Sequence, residues 1–129
     1  MTIEERAEQA AALKNSGLNC CQAVIAALRD QAGLSEEQAL TLGSGFGAGM
    51  GSMEGSCGAL VGAVLAAGLS LEGRGTPRMA RQLSLAFKEE CGAVSCRELK
   101  GVGTGRVLCP CDQCVKNAVR IYGKLMGLE

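Results

Sequence analysis

Residues 57–71 read CGALVGAVLAAGLSL, and this stretch decides the fold. It has no charged residue and is rich in small and aliphatic side chains. Its 15 residues fall short of the roughly 20 that a membrane-spanning helix needs. We therefore expect a buried core helix and no membrane span. Gly58 and Gly62 lie one turn apart on this helix, which allows a second helix to approach closely.

The segment before this helix is rich in glycine. Residues 43–51 read GSGFGAGMG, with glycine at every second position. Glycine loses much backbone entropy in a helix and readily adopts positive φ. We therefore expect a glycine-rich loop leading into the small-residue helix.

Helix signals recur along the rest of the chain, whereas strand signals are nearly absent. TIEE at 2–5 and SEEQ at 35–38 fit the capping box that begins a helix. Asn19 fits the N-cap of another helix, which we expect to continue as far as Gly33.

The last helix shows the clearest amphipathic pattern. Val115, Val119 and Tyr122 belong to its apolar stripe, and we assign Asn117 to the opposite, polar face. With the other helix signals, this pattern predicts one all-α domain over residues 1–129, a bundle of five or six helices.

Composition excludes several classes of function. Thirteen basic and thirteen acidic residues cancel, and there are only three aromatic residues, which argues against a nucleic-acid partner. The chain has no histidine, so we expect no haem and no His-ligated zinc. The glycine run contains no G-x-G-x-x-G and follows no predicted strand, which argues against a nucleotide site.

Eight cysteines are the most informative feature of the composition. The first residues are acidic and polar and do not resemble a secretory signal, so we expect a cytoplasmic protein. In a reducing cytosol, cysteines are metal ligands or redox thiols more often than a disulfide framework.

Four of the cysteines lie at predicted helix N-termini: Cys20, Cys57, Cys96 and Cys111. Free backbone N–H groups and the positive end of the helix dipole stabilise a thiolate there. Thiolate is the form that binds metals and attacks disulfides.

The segment CPCDQC at 109–114 combines C-x-C with C-x-x-C, which favours metal or redox chemistry without deciding between them. Cys91 and Cys96, together with Cys111 and Cys114, can also supply the two cysteine pairs of a zinc site.

The chain resembles the redox-active family named for its C_GCAxxG_C_C pattern, over essentially its full length. The matching segments are NCCQAV at 19–24, GFGAGMG at 45–51, CGALVG at 57–62 and CREL at 96–99, followed by Cys111. The chain is also similar to the non-haem part of split-Soret cytochromes. These resemblances imply an α-helical fold and an iron–sulfur cluster on cysteines.

The family pattern falls on Cys20, Cys57, Cys96 and Cys111, the four cysteines that the helix signals also select. We expect them to be the redox thiols and metal ligands, with Cys109 and Cys114 as substitutes. On this scheme, loss of Cys91 should matter little.

Three interpretations remain open. In the first, an iron–sulfur cluster or similar centre transfers electrons with a redox partner protein, and Gly55, Gly58 and Gly62 admit it and offer N–H groups to its sulfurs. In the second, the protein is a metal-free thiol–disulfide oxidoreductase acting on a small thiol or disulfide. In the third, zinc stabilises a non-catalytic binding protein. The modest core also suggests a homodimer.

Overall fold

The chain is built from helices throughout. The computed structural model describes residues 1–129, which form eight α-helices and one π-helical turn, with no β-sheet. The α-helices are α1 (Ile3–Asn15), α2 (Cys20–Ala27), α3 (Arg29–Ala32), α4 (Glu36–Gly43), α5 (Gly58–Ser70), α6 (Thr76–Cys91), α7 (Cys96–Lys100) and α8 (Cys111–Met126). The predicted all-α class is confirmed, whereas the predicted count of five or six helices is too low.

One of the additional helices arises from a break in the segment that follows Asn19. The backbone leaves the helical conformation at Leu28, where φ is −109° and ψ is 9°, so α2 ends and α3 begins. Arg6 of α1 donates a hydrogen bond from Nη1 to the carbonyl oxygen of Ala27, at 3.1 Å. This bond satisfies a carbonyl at the end of α2.

The glycine run contains the π-helical turn, which spans Gly49–Met53. Ala48 and Met50, which both carry side chains, have left-handed backbones here with φ of 50° and 62°. The predicted loop before the small-residue helix is therefore present, but part of it closes into a turn that holds non-glycine residues in a strained region of φ.

The helix starts predicted at Thr2, Asn19 and Ser35 are confirmed, and Asn19, expected only as an N-cap, also forms a capping box. Thr2, Asn19 and Ser35 each accept a hydrogen bond from the N3 backbone N–H, and the N3 side chain accepts one from the cap backbone. These paired bonds fix the first turns of α1, α2 and α4.

The small-residue helix α5 lies at the centre of the fold and packs closely against α2. A Cβ on Gly62 would lie 3.0 Å from the carbonyl oxygen of Cys21, and one on Gly58 would lie 2.9 Å from that of Phe46. The close approach expected at these two glycines is therefore confirmed.

Helix α8 completes the bundle by packing against α1, α2, α5 and α6. The largest side chains of the core, Phe87 of α6 and Tyr122 of α8, are fully buried. None of the helices combines the length and hydropathy needed to span a bilayer.

Candidate functional site

Four cysteines lie where helices begin. Cys20, Cys96 and Cys111 are the first residues of α2, α7 and α8, and Cys57 is the N-cap of α5. We call these four residues the pocket group. Each is therefore placed next to backbone N–H groups that have no partner within their own helix.

Two members of the pocket group are brought together by a short backbone pairing that the sequence patterns do not predict. An isolated antiparallel bridge joins the chain just before α5 to the chain just before α7. Across it, the N–H of Cys57 donates to the carbonyl of Val94 at 2.7 Å, and that of Cys96 donates to the carbonyl of Gly55 at 3.0 Å. The bridge fixes the two helix starts side by side.

The pocket group surrounds one small pocket that is partly open to solvent. Its lining consists of Cys20, Ala48, Cys57, Gly58, Cys96, Leu99, Lys100, Cys109, Cys111 and Cys114. The space inside is about 10 Å³, roughly what one water molecule or one ion needs. The structure thus brings all four predicted ligands, and both predicted substitutes, to the same small space.

Cys57 is the most acidic thiol of this pocket. Its sulfur shares hydrogen bonds with Cys114 and Cys20 and accepts from the backbone N–H groups of Ala59 and Leu60 in the first turn of α5. These bonds outweigh the effect of burial and lower the pKa of Cys57 to about 4.

The pKa values of the neighbouring thiols shift in the opposite direction. The Cys111 thiol acts to lower the pKa of Cys20, but Cys57 and burial together raise it to about 11. The hydrogen bond to Cys20 and burial raise the pKa of Cys111. The contacts therefore favour a protonated Cys20 and Cys111 beside a Cys57 thiolate.

Lys100 supplies a positive charge at this pocket. Burial acts to lower the pKa of its ammonium group, but the sulfurs of Cys111 and Cys96, followed by those of Cys20 and Cys57, raise it. A cation at the wall of a sulfur-lined pocket offsets part of the negative charge that thiolates create.

Three further cysteines form a second group. The sulfur atoms of Cys91, Cys109 and Cys114 all lie within 4.8 Å of one another, and all three residues are buried. We call them the thiol triad. Three thiolates at this separation can bind a metal ion, and Cys114 also contacts Cys57, which joins the triad to the pocket group.

Asn117 is the only buried side chain that carries an amide or a charge, with 6% of its surface exposed. Its assignment to the polar face of the last helix is therefore wrong. Its Nδ2 donates to the sulfur of Cys91 at 3.4 Å and lies 4.0 Å from that of Cys109, while Gln113 donates to its Oδ1 at 3.0 Å. Asn117 is buried because the thiol triad provides its partners.

The three glycines predicted to contact a cofactor lie in different environments. Gly58 lines the pocket, and the carbonyl of Gly55 accepts the bond from Cys96. Gly62 faces α2, outside the residues that line the pocket.

The patterns missed two residues of the site, Lys100 and Asn117, and they named Cys91 only in the alternative of a zinc site with Cys96, Cys111 and Cys114. Two weak signals were available. Asn117 follows Cys114 by three residues, and Lys100 follows Cys96 by four, so each pair shares one helix face. Cys91 carries no such signal, because only the packing of α6 against α8 brings it to Cys114.

All eight cysteines are free thiols, and seven of them belong to these two groups. Cys21 is buried against α5 outside the pocket.

Searches of curated proteins and of solved structures return no match. A family model described as "Putative redox-active protein (C_GCAxxG_C_C)" matches residues 18–125. The chain therefore belongs to the C_GCAxxG_C_C family of redox-active proteins.

Proposed function

We propose that the protein transfers electrons through a thiolate-ligated metal centre, an iron–sulfur cluster or a similar group, held by Cys20, Cys57, Cys96 and Cys111. The observation that carries this proposal is the convergence of four helix N-termini, each with a cysteine, on one small pocket. A redox partner protein would exchange the electrons.

The donor set fits such a centre. Iron–sulfur clusters are held by four cysteine thiolates, and hydrogen bonds to sulfur tune their reduction potential. Cys57 already accepts N–H bonds from Ala59 and Leu60, and the Lys100 ammonium faces the group. When bound, an iron–sulfur cluster would supply one-electron transfer at this position.

The size of the pocket sets a condition on the proposal. About 10 Å³ holds a single ion, so a cluster requires part of the lining to move outward. Ala48 lies on the pocket wall just before the π-helical turn, and Gly45 and Gly51 on either side have open space around them. We expect movement around Gly45 and Gly51, because Gly47 and Gly49 between them are packed against Asn19 and Cys96.

The protein shell would keep the centre away from water. Cys20, Cys57 and Cys96 are all less than 8% exposed, and Leu99 closes the pocket beside them. A low dielectric around a sulfur-ligated centre strengthens the interaction with Lys100. Half-buried Cys111 is the member of the pocket group nearest to solvent and hence to a partner.

The test is anaerobic purification followed by an ultraviolet–visible spectrum and by iron, zinc and acid-labile sulfide analysis. We expect a coloured protein with stoichiometric iron and sulfide. Cys57→Ser should abolish the chromophore, and retention of full iron by this variant would overturn the ligand assignment.

Cys21→Ser is the matched control for this experiment. Cys21 is adjacent to Cys20 in sequence and equally buried, but it does not line the pocket. It should keep the iron content and spectrum of the unmodified protein. Equal losses in Cys21→Ser and Cys57→Ser would mean that the mutations act through the fold.

A second candidate, thiol–disulfide exchange, is supported by the acidic Cys57 thiol and its contacts with Cys20 and Cys114. Here the Cys57 thiolate attacks a substrate disulfide and one substrate thiolate leaves. Cys20 or Cys114 then loses its proton and displaces the second substrate thiolate. Two electrons pass to the substrate, and the protein keeps a disulfide.

The same purification distinguishes the two candidates. A colourless, metal-free protein that oxidises to a Cys57 disulfide and reduces a small disulfide would favour exchange over a metal centre. Alkylation of Cys57 at mildly acidic pH, before the other thiols, would identify it as the attacking group.

A further inference from the structure

We infer that the thiol triad is a second metal site, separate from the pocket group, which holds one soft ion, Zn²⁺ or Cu⁺, through Cys91, Cys109 and Cys114. This inference does not rest on the proposed redox centre, because none of these cysteines is among its four ligands.

The geometry of the three sulfurs is close to that of a bound ion. Metal–thiolate bonds of about 2.3 Å place two sulfurs about 3.8–4.0 Å apart. The triad sulfurs already lie within 4.8 Å of one another, so binding requires a closure of about 1 Å or less. Thiolates select soft ions such as Cu⁺ and Zn²⁺.

Each member of the triad is held by a different part of the fold. Cys91 ends α6, and the left-handed Gly92 turns the chain away after it. The N–H of Cys109 bonds to the carbonyl of Leu99, and Cys114 lies in the first turn of α8. Three ligands fixed by separate elements form a site only in the folded chain, so ion binding should stabilise the fold.

Asn117 is the second, independent observation that points to a ligand. Its Oδ1 is occupied by Gln113, which directs Nδ2 towards the sulfurs of Cys91 and Cys109. A buried amide that donates to sulfur is typical of the outer shell of a metal–thiolate site, where it orients ligands and offsets their charge. No other amide or charged side chain is buried in this core.

The first experiment separates this site from the pocket group. The variant Cys96→Ser/Cys111→Ser removes two pocket ligands and leaves the triad intact. Reduced protein is titrated with Zn²⁺, and separately with Cu⁺, against a chromophoric chelator. We expect one ion per chain to remain bound in this variant and to be lost when Cys91→Ala is added.

Mapping on the unmodified chain does not depend on how well a variant folds. The reduced protein is alkylated with and without one equivalent of Zn²⁺ or Cu⁺, and each cysteine is scored by mass spectrometry. The inference predicts protection of Cys91, Cys109 and Cys114 by at least one of the two ions, and the better protector identifies the metal. Protection confined to the pocket group, or none at all, would overturn it.

Asn117 gives a graded test. Asn117→Leu keeps the volume of the side chain and removes the N–H bonds to sulfur, so the ion should bind about 10- to 100-fold more weakly. Gln113→Ala should weaken binding less, because it removes only the group that orients the amide. Unchanged affinity in a folded Asn117→Leu protein would show that Asn117 does not serve the site.

Discussion

The two sulfur groups are built in different ways, although they touch at the contact between Cys57 and Cys114. Every member of the pocket group lies at a helix start, next to free N–H groups and beside a glycine-rich segment with left-handed residues. The thiol triad instead uses the end of one long helix, a loop and the first turn of another, with one amide as donor. The position of each pocket-group cysteine on its own helix is thus set locally, although a long-range bridge brings Cys57 and Cys96 together. The triad depends entirely on the packing of α6 against α8.

The pH dependence of stability should separate the two groups most strongly. The pKa of Cys57 is lowered to about 4 and that of Cys91 to about 6, in both cases first by a hydrogen bond with Cys114. A thiol with a lowered pKa holds fewer protons in the folded chain than in the unfolded one. Its contribution is therefore complete above the unfolded value of about 9 and is lost as pH falls towards the folded value, by at most about 1.4 kcal/mol per pH unit.

Cys57 and Cys91 should therefore affect stability over different pH ranges, which two alanine variants can separate. In reduced, chelator-treated protein, Cys57→Ala should flatten the free energy of unfolding against pH from about 9 down to about 4, and Cys91→Ala only down to about 6. Cys21→Ala is the control, because burial raises the pKa of Cys21 to about 12 and places its effect above pH 9. Chemical denaturation at each pH measures the slopes. Identical slopes for Cys57→Ala and Cys91→Ala between pH 4 and 6 would contradict the difference between the groups.

A second prediction concerns a substitution that should disturb the pocket group more than the thiol triad. A Cβ on Gly58 would meet the carbonyl oxygen of Phe46 at 2.9 Å and the backbone nitrogen of Cys21 at 3.0 Å, and backbone atoms cannot rotate away. Gly58→Val should therefore destabilise the protein by about 1–3 kcal/mol, as overpacking does. It should also reduce the iron content of the proposed centre more than Zn²⁺ or Cu⁺ binding to the triad.

Gly45→Ala is the control for this substitution. Gly45 lies in the same glycine-rich run, but it has open space around it and a φ outside the left-handed region. Alanine there should leave stability unchanged or raise it slightly. If Gly45→Ala and Gly58→Val gave equal losses by chemical denaturation, close backbone contact would not be the reason for glycine at 58.

The contrast between the groups also explains what the sequence can predict. Caps are local. Asn19, Ser95 and Pro110 are the N-caps of α2, α7 and α8, and each directly precedes one of Cys20, Cys96 and Cys111, so the sequence indicates where these cysteines lie on their helices. At the break at Leu28, the carbonyl of Ala27 is bonded by Arg6, more than twenty residues away, and no local pattern contains this contact. The triad is harder still, because Cys91 meets Cys109 and Cys114 only after α6 and α8 have packed.

Asn117 shows why the assignment of residues to helix faces from local sequence fails where a partner from another helix is present. Asparagine on an amphipathic helix is assigned to the polar face because an unpaired buried amide is costly. Here both ends of the amide are paired, Oδ1 with Gln113 and Nδ2 with sulfur, so the cost is removed. The sulfur partner, Cys91, lies on α6, so the sequence pattern of α8 cannot reveal it.

The smallest predicted effect concerns the cap that positions Cys20. Asn19 accepts from the N–H of Gln22, and its Nδ2 donates to the carbonyl of Gly43 at 3.2 Å. Asn19→Ala should cost about 1 kcal/mol, the usual value for an N-cap. Because Cys20 is the next residue, its rate of alkylation should also rise, while that of Cys91 stays the same.

Ser35→Ala is the matched variant, since Ser35 forms the same capping box on α4 but no cysteine lies on that helix. It should lose similar stability and leave every alkylation rate unchanged. Chemical denaturation and timed alkylation with mass spectrometry supply both readouts. If Asn19→Ala lost stability without exposing Cys20, the cap would support the fold but not the position of the thiol. If Asn19→Ala accelerated the alkylation of Cys20 and of Cys91 equally, the pocket group and the thiol triad would open together. The proposed difference between the two groups would then be wrong.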